Sequence, residues 1–356
     1  MKVGLVLGAG GVVGASWLVG ALDSLAAESG WDPMQADHIV GTSAGAVIGS
    51  LAAAGVSAEQ QADYIAGRSP EIEEIADGSE AIAERTQGSE YRLALALPPI
   101  GPGSWRMALS TLRHPLSHSP AAVLGGWLPR GFIRTDPIRT LVEHFITEDW
   151  PDHRSYWAVA CDYRTARRTV FGRDDAPAAR IGEAVAASCA IPGFYYPVAI
   201  GGRRYVDGGV CSMSNLDLLC GHGLDLVICL NPTSSLAPGP RGTPAARLAA
   251  AVRTASGRRL RHEAAKLEAE GTEVLLIEPT ASDLERMGSN LMARDRRVEV
   301  MEQAMSSTAQ ELRALRGSER LMPSGGVRRL ERPAAGRSRG KAGLTRRAPV
   351  RRRRAA

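Results

Sequence analysis

The N-terminal segment repeats one pattern twice: a short apolar run, a turn of small residues, then an apolar helix. Val3 to Leu7 leads into Gly8-Ala9-Gly10-Gly11-Val12-Val13-Gly14, and Ile39-Val40 leads into Gly41-Thr42-Ser43-Ala44-Gly45 ahead of the apolar run from Ala46 to Ala54. Two such units in succession predict neighbouring parallel strands joined by a crossover helix, which confines the chain to an α/β architecture with a central, mostly parallel sheet between helical layers. Both turns then fall at the carboxyl ends of adjacent strands, where open α/β sheets build their sites. Ser43 and the amides of Gly10 and Gly11 are therefore expected to face one another.

The second turn has the form G-x-S-x-G, the pattern of a nucleophile elbow. A sharp strand-to-helix turn holds the serine in a strained conformation, with its hydroxyl at the positive end of a helix, and side chains at Gly41 or Gly45 would crowd the neighbouring elements. The first turn presents backbone N–H groups to a negative charge. It does not fit a dinucleotide loop, because the third glycine falls one place late, at Gly14, nor a phosphate loop, because no Gly-Lys-Ser/Thr follows. An oxyanion hole is the remaining use. A third signal comes far downstream, where the strand Arg203 to Val206 stops at Asp207-Gly208-Gly209, an acidic residue on a tight glycine turn.

Along the chain, helical spacing predicts helices from about Ala15 to Glu28 and from Ser57 to Ala66, the latter with Ser57 as N-cap, and a helix with Pro137 in its first turn. Tyr156 to Cys161 and Arg168 to Phe171 alternate like a hairpin. Arg180 to Ser188 reads as a helix, Asn215 to Cys220 as a short one, Leu224 to Leu230 and Glu273 to Ile277 as buried strands, and Ala246 to Glu270 and Asp295 to Leu315 as long helices. Between Gly67 and Pro129 this rhythm is lost. Prolines alternate there with apolar residues, including Trp105 and Trp127, which suggests either a lid or lipid-facing flap or a small helical layer over the sheet. His114 and His118 in this insertion read as loop histidines.

Charge is divided unevenly. Residues 323–356 hold twelve Lys and Arg against one Glu, while the whole chain carries only +5, so the first 322 residues are net acidic. A tail so poor in large apolar residues cannot offset its ordering entropy and is expected to be disordered, leaving 1–322 as the folded domain. It is suited to anionic lipid headgroups, a peripheral membrane contact, whereas the acidic body argues against nucleic acid as the main partner. No apolar run is long enough to span a bilayer, and the five cysteines form no C-x-x-C pair, as expected of core residues in a reducing, cytoplasmic protein.

The glycine loop, the elbow one crossover later and the Asp-Gly-Gly turn together resemble the patatin-like phospholipase family. So do Ala187-Ser188-Cys189-Ala190-Ile191-Pro192-Gly193 and Arg204-Tyr205-Val206-Asp207-Gly208-Gly209, and the resemblance covers about residues 1–316. It implies a three-layer α/β/α serine acyl hydrolase that cleaves acyl esters of phospholipids, lysophospholipids or simpler lipids with a Ser-Asp dyad and needs neither metal nor cofactor. Ser43 corresponds to the nucleophile, Asp207 to the base, and Gly10 and Gly11 to the oxyanion loop, with Gly8, Gly14, Gly41, Gly45, Gly208 and Gly209 shaping the supporting turns. Two positions depart from the family pattern. Ala9 stands where a further glycine is usual, and Val13 where Arg or Lys is usual. The alternatives are a catalytically silent lipid-binding domain and a Ser-Asp-His triad using His222 or His262. For the triad, Ser43 comes too early in the chain, and both histidines read as surface residues.

Overall fold

The computed structural model describes residues 1–68, 102–113, 125–235 and 244–317. Residues 69–101 and 114–124 of the expected insertion, with His114 and His118, lie outside the described residues, as does the expected tail from 323.

The elements are β1 (Val3–Leu7), α1 (Gly11–Ser29), β2 (His38–Thr42), α2 (Ala44–Ala53), α3 (Ala58–Ala66), α4 (Trp105–Arg113), α5 (Asp136–Phe145), β3 (Tyr156–Asp162), β4 (Arg168–Phe171), α6 (Ile181–Ser188), β5 (Val198–Ile200), β6 (Arg203–Asp207), β7 (Leu226–Leu230), α7 (Pro244–Ala269), β8 (Glu273–Ile277), α8 (Ala281–Met287) and α9 (Arg297–Gly317). Strands β3, β2, β1, β7 and β8 run parallel in that order, with β4 and β6 antiparallel to β3 and β5 antiparallel to β6 at that end.

Strand alternation divides the core into two layers. Leu5, Leu7, Ile39, Ala158, Ile228 and Leu230 face α1, α2, α6 and α9. Val6, Val40, Val159, Val227 and Cys229 face the other way, against Leu260, Ala264 and Leu267 of α7. This is the three-layer α/β/α fold. Central strands buried on both faces explain why Val3 to Leu7 is apolar throughout.

Strand β3 fixes the geometry of everything that follows. Residues 158–161 pair with β4, so β4 occupies one edge of that stretch. Ala158 and Val159 also pair with Gly41 and Thr42, while Ala160 and Cys161 pair with Asp207 and Val206. Strands β2 and β6 must therefore share the other edge, meeting end to end at Thr42 and Asp207. A methyl group added at Gly208 would fall against the Val159 carbonyl and 3.2 Å from Thr42 Cγ2.

Three local expectations are corrected. Helix α1 starts at Gly11, not near Ala15, because the Gly14 N–H already closes a helical turn onto the Gly10 carbonyl at 3.0 Å. Strand β5 was not anticipated. Its signal is the pair Gly201-Gly202, both at positive φ, which makes the tight hairpin to β6. Helix α8 was also missed, although Thr280 and Asp283 form a capping box at its start. The expected Ser57 cap is present, reciprocated by Gln60, and Pro137 sits in the first turn of α5.

The elbow depends on α2 lying directly on β1. A Cβ at Gly45 would overlap the Leu7 carbonyl, and one at Gly41 would lie 2.5 Å from Ala46 Cα. Both obstacles are backbone, which cannot rotate away. Gly45→Ala is expected to lower stability by about 1–3 kcal/mol or more, read from urea unfolding. An unchanged midpoint would show that α2 can slide on the sheet.

Candidate active site

Ser43 is the residue between the end of β2 and the start of α2, at φ 54 and ψ −119, one of three non-glycine residues at positive φ among those described. Such a conformation costs about 1–3 kcal/mol and persists only where the surroundings enforce it. Here they do. The Ser43 N–H donates to Ser188 Oγ at 2.9 Å, and Ser188 Oγ donates to the Val159 carbonyl at 2.6 Å. The first turn of α2 closes on the Ser43 carbonyl through Ala46 N–H at 2.8 Å.

Asp207 ends β6 beside this turn, 5% exposed. Its N–H donates to the Ala190 carbonyl at 2.9 Å, and its Oδ1 accepts from Gly209 N–H at 2.7 Å. Burial raises its pKa from 3.8 to about 6, although hydrogen bonds from the Ser43 hydroxyl and the Gly209 amide favour the charged form. A carboxyl poised near neutrality and hydrogen-bonded to a serine hydroxyl can take that hydroxyl's proton. Neither Gly208 nor Gly209 is at positive φ. The turn needs glycine because Val159, Thr42 and Met213 approach it closely.

The glycine loop completes the group. Ala9 N–H is taken by the Met213 carbonyl at 2.8 Å and Val13 N–H by the Leu291 carbonyl at 3.1 Å, while those of Gly10, Gly11 and Val12 meet no protein acceptor among the described residues. Gly11 is at φ 63, and a Cβ there would lie 2.7 Å from the Leu291 carbonyl; one at Gly10 would lie 2.6 Å from Pro232 Cγ. These unused donors open the N-terminus of α1, whose dipole adds positive potential. Ala9 is not at positive φ, so it takes the place of a glycine without strain. Val13 is fully buried in the core, and the loop carries no cation there.

Gly11, Val12 and Ser43 line one cavity of about 420 Å³. Its walls are mostly apolar, built by α1 (Val19), α2 (Val47, Leu51), α3 (Ile65) and α5 (Leu141, Phe145), with Cys189, Ile191 and Tyr195 beside the serine. Arg134, Arg294 and Arg297 also border it. Asp207 does not; it approaches Ser43 from behind. The Cys189 thiol also contacts the Ser43 hydroxyl, and burial pushes its pKa well up, so it stays neutral.

Sequence reasoning overlooked the supports behind the three turns. Glu263 of α7, 1% exposed, accepts from Ser212 Oγ at 2.8 Å, Ser214 Oγ at 2.7 Å and Leu216 N–H at 3.0 Å, with Arg259 as its ion-pair partner. The loop it holds reaches both other turns: the Met213 carbonyl accepts from Ala9, and Asn215 Nδ2 donates to Thr42 Oγ1 at 3.0 Å. A carboxylate on the apolar face of a long helix is the signal that could have revealed it, since buried charges are paired. The two histidines lie elsewhere. His222 meets His38 and Trp157 edge to face at 4.8 and 5.1 Å, by the residue that begins β2, at the opposite end of the sheet from Ser43. His262 is exposed on α7.

A serine elbow, a neighbouring buried carboxylate and an unused row of amides on a three-layer α/β/α sheet define a class of α/β folds. Within it, the model of the patatin-like phospholipases matches residues 5–219, more than half the chain, and the chain belongs to that family. Two solved structures are similar over 88% of this chain. They are VipD from Legionella pneumophila (14% identity, TM-score 0.42, 67% of that chain covered) and the type III effector protein ExoU (16% identity, TM-score 0.33). The chain spans about half the length of ExoU, 53%.

Ser188 is the most direct test of the turn geometry. Ser188→Ala leaves the Ser43 N–H without its acceptor in a buried site, which costs about 1–3 kcal/mol. The expected result is a lower thermal midpoint together with weaker hydrolysis of any ester that proves to be a substrate. A stable variant with full activity would show that Ser43 holds its strained backbone unaided.

Proposed function

We propose that the protein is a serine acyl hydrolase acting on lipid acyl esters, with Ser43 as nucleophile and Asp207 as general base. The observation that carries this reading is the strained, buried Ser43, hydrogen-bonded to a carboxyl of raised pKa and opening into an apolar cavity lined on one side by free amides. The fatty acyl chain lies in the cavity and the ester carbonyl rests on Ser43. As Ser43 Oγ attacks, Asp207 takes the hydroxyl proton, and the oxyanion is met by the N–H groups of Gly10 and Gly11. Collapse of the tetrahedral intermediate expels the alcohol, which leaves with a proton from Asp207, and forms the acyl-enzyme. Asp207 then deprotonates the water that releases the fatty acid. General-base assistance supplies roughly 100- to 10,000-fold and each oxyanion donor about 3 kcal/mol.

A fluorophosphonate probe tests the nucleophile. The wild type should label and Ser43→Ala should not, while His222→Ala and His262→Ala keep their activity. A folded wild type that takes no label refutes the hydrolase. Since Asp207 must be ionised, kcat/KM should rise with pH through a half-point near 6. A profile flat from pH 5 to 8 would remove Asp207 from the role of base.

The same raised pKa has a stability consequence of opposite sign. The folded state holds the Asp207 proton more tightly than the unfolded one, so its favourable contribution is present at low pH and lost as pH rises from 3.8 towards 6. Above that range the buried carboxylate costs about 3 kcal/mol. Asp207→Asn should therefore lose activity and yet unfold at higher urea than the wild type at pH 8. A less stable Asn variant at that pH would contradict the assignment.

A further inference from the structure

Eight large hydrophobic side chains are strongly exposed among the described residues, and five of them fall in one short region: Trp105 (61%), Leu109, Trp127, Leu128 and Phe132 (54%). Trp105 and Leu109 are four residues apart on α4, so they share one side of the helix, while Met107 and Ala108 are fully buried beneath it. The indoles of Trp105 and Trp127 meet edge to face at 6.0 Å.

This face is built on a fixed base. Ser104 Oγ donates to the Tyr163 carbonyl at 2.6 Å, Gly103 N–H to the Leu128 carbonyl at 2.9 Å, and Arg130 Nε to the Gly103 carbonyl at 2.9 Å. Met107 packs with Cys161, Tyr163 and Val210, next to the Asp207 turn. Fixing apolar side chains in water in this way confers no stability on the isolated protein, so a contiguous face of this kind marks a contact surface.

We propose that this face docks the protein on the surface of an anionic phospholipid bilayer and aligns the Ser43 cavity with it. Two observations choose that occupant. The first is continuity with the cavity. Immediately after Phe132, Ile133 pairs with Tyr195, and Arg134 and Tyr195 both line the cavity, so the segment that carries the apolar face continues into the cavity wall. A bilayer held against this segment would bring lipid beside that largely apolar wall. The second is charge and side-chain type. Tryptophans with neighbouring arginines, here Arg106, Arg130 and Arg134, suit an interface of acyl chains and phosphates. Asp136 is the counter-charge that pairs with Arg134. Docking goes beyond the catalytic assignment and rests on it only for the direction of lipid transfer, so the two can fail separately.

The test uses the full chain carrying Ser43→Ala, so that no lipid is consumed, and flotation with vesicles of phosphatidylcholine alone or mixed with phosphatidylglycerol. Binding of parent and variants is compared at one moderate ionic strength, where the Arg-rich tail contributes equally to both and the difference between them reports the apolar face. The parent should float with the mixed vesicles and its tryptophan emission should shift to the blue. Replacing Trp105, Trp127 and Phe132 by Ala should weaken partitioning by about tenfold or more for each side chain. In a Ser43 background the same three changes should leave hydrolysis of the soluble ester p-nitrophenyl butyrate unchanged while hydrolysis of vesicle lipid falls in step with binding. Should the triple variant be misfolded, Trp105→Ser and Trp127→Ser singly, each with an unaltered circular dichroism spectrum, carry the comparison. Vesicle binding that survives these changes would overturn the proposal. So would a parent that ignores vesicles and forms a dimer dissolved by the same substitutions. Absence of soluble-ester hydrolysis in the wild type would refute the hydrolase while leaving the flotation result to judge the surface.

Discussion

The site exists because one edge of β3 is divided between two strands. Val159 pairs with Thr42 and the next residue, Ala160, pairs with Asp207. Strands that enter from opposite directions and stop at the same point leave their next residues side by side, so a serine and a carboxylate 164 positions apart in sequence are juxtaposed by backbone hydrogen bonds alone. Everything else at the site protects that junction. Ser188 ties the Ser43 amide to the Val159 carbonyl, Ala190 holds the Asp207 amide, and the glycines of both turns let backbones approach within distances that a methyl group would prohibit.

The junction holds two residues in states that work against stability. Ser43 is held in a conformation that a serine in a loop would leave, and Asp207 is kept from water so that its proton affinity rises. Neither cost is compensated at the site. Compensation comes from the two apolar layers on either side of the sheet, and from Glu263, whose own buried charge is saturated by two hydroxyls, an amide and Arg259. Through Met213 and Asn215 that one carboxylate fastens the loop touching both the glycine turn and the elbow.

What could be read in the sequence was whatever leaves a local signature. The elbow glycines, the Asp-Gly-Gly turn and the continuous apolar strands follow from sterics within a few residues, and they sufficed to bring Gly10, Gly11 and Ser43 to one end of one sheet, whereas Asp207 was joined to them only by the family resemblance. The supports were not legible because each is a pairing over a long separation. Ser188 looks like any small residue in a helix ending at Cys189, and Glu263 like one charge among many on α7. The start of α1 was misplaced for a related reason. A run rich in glycine suggests an extended loop, yet only Gly11 in it has a left-handed backbone, and the turn of helix from Gly10 to Gly14 had already begun. Chemistry carried by contact between distant segments needs the register of the sheet, which no window of sequence contains.

The buried Val13 shows how the glycine loop is positioned without the cation usual at that place in the family. Its side chain is sealed in the core and its amide is held by the Leu291 carbonyl, while Gly11 packs against the same residue. The segment ahead of α9 thus clamps the loop from outside, by van der Waals contact and one hydrogen bond. A charge would add orientation only if the loop were free to turn, and here it is not. Positive charge reaches the cavity by another route, from Arg134 ahead of α5 and from Arg294 and Arg297 at the start of α9. Arg297 is partly desolvated beside Arg294, which holds its pKa below the ordinary arginine value and makes an anion a favourable neighbour. Holding the glycine loop in place and bringing positive charge to the cavity, which a single loop cation could combine, fall to different elements in this chain.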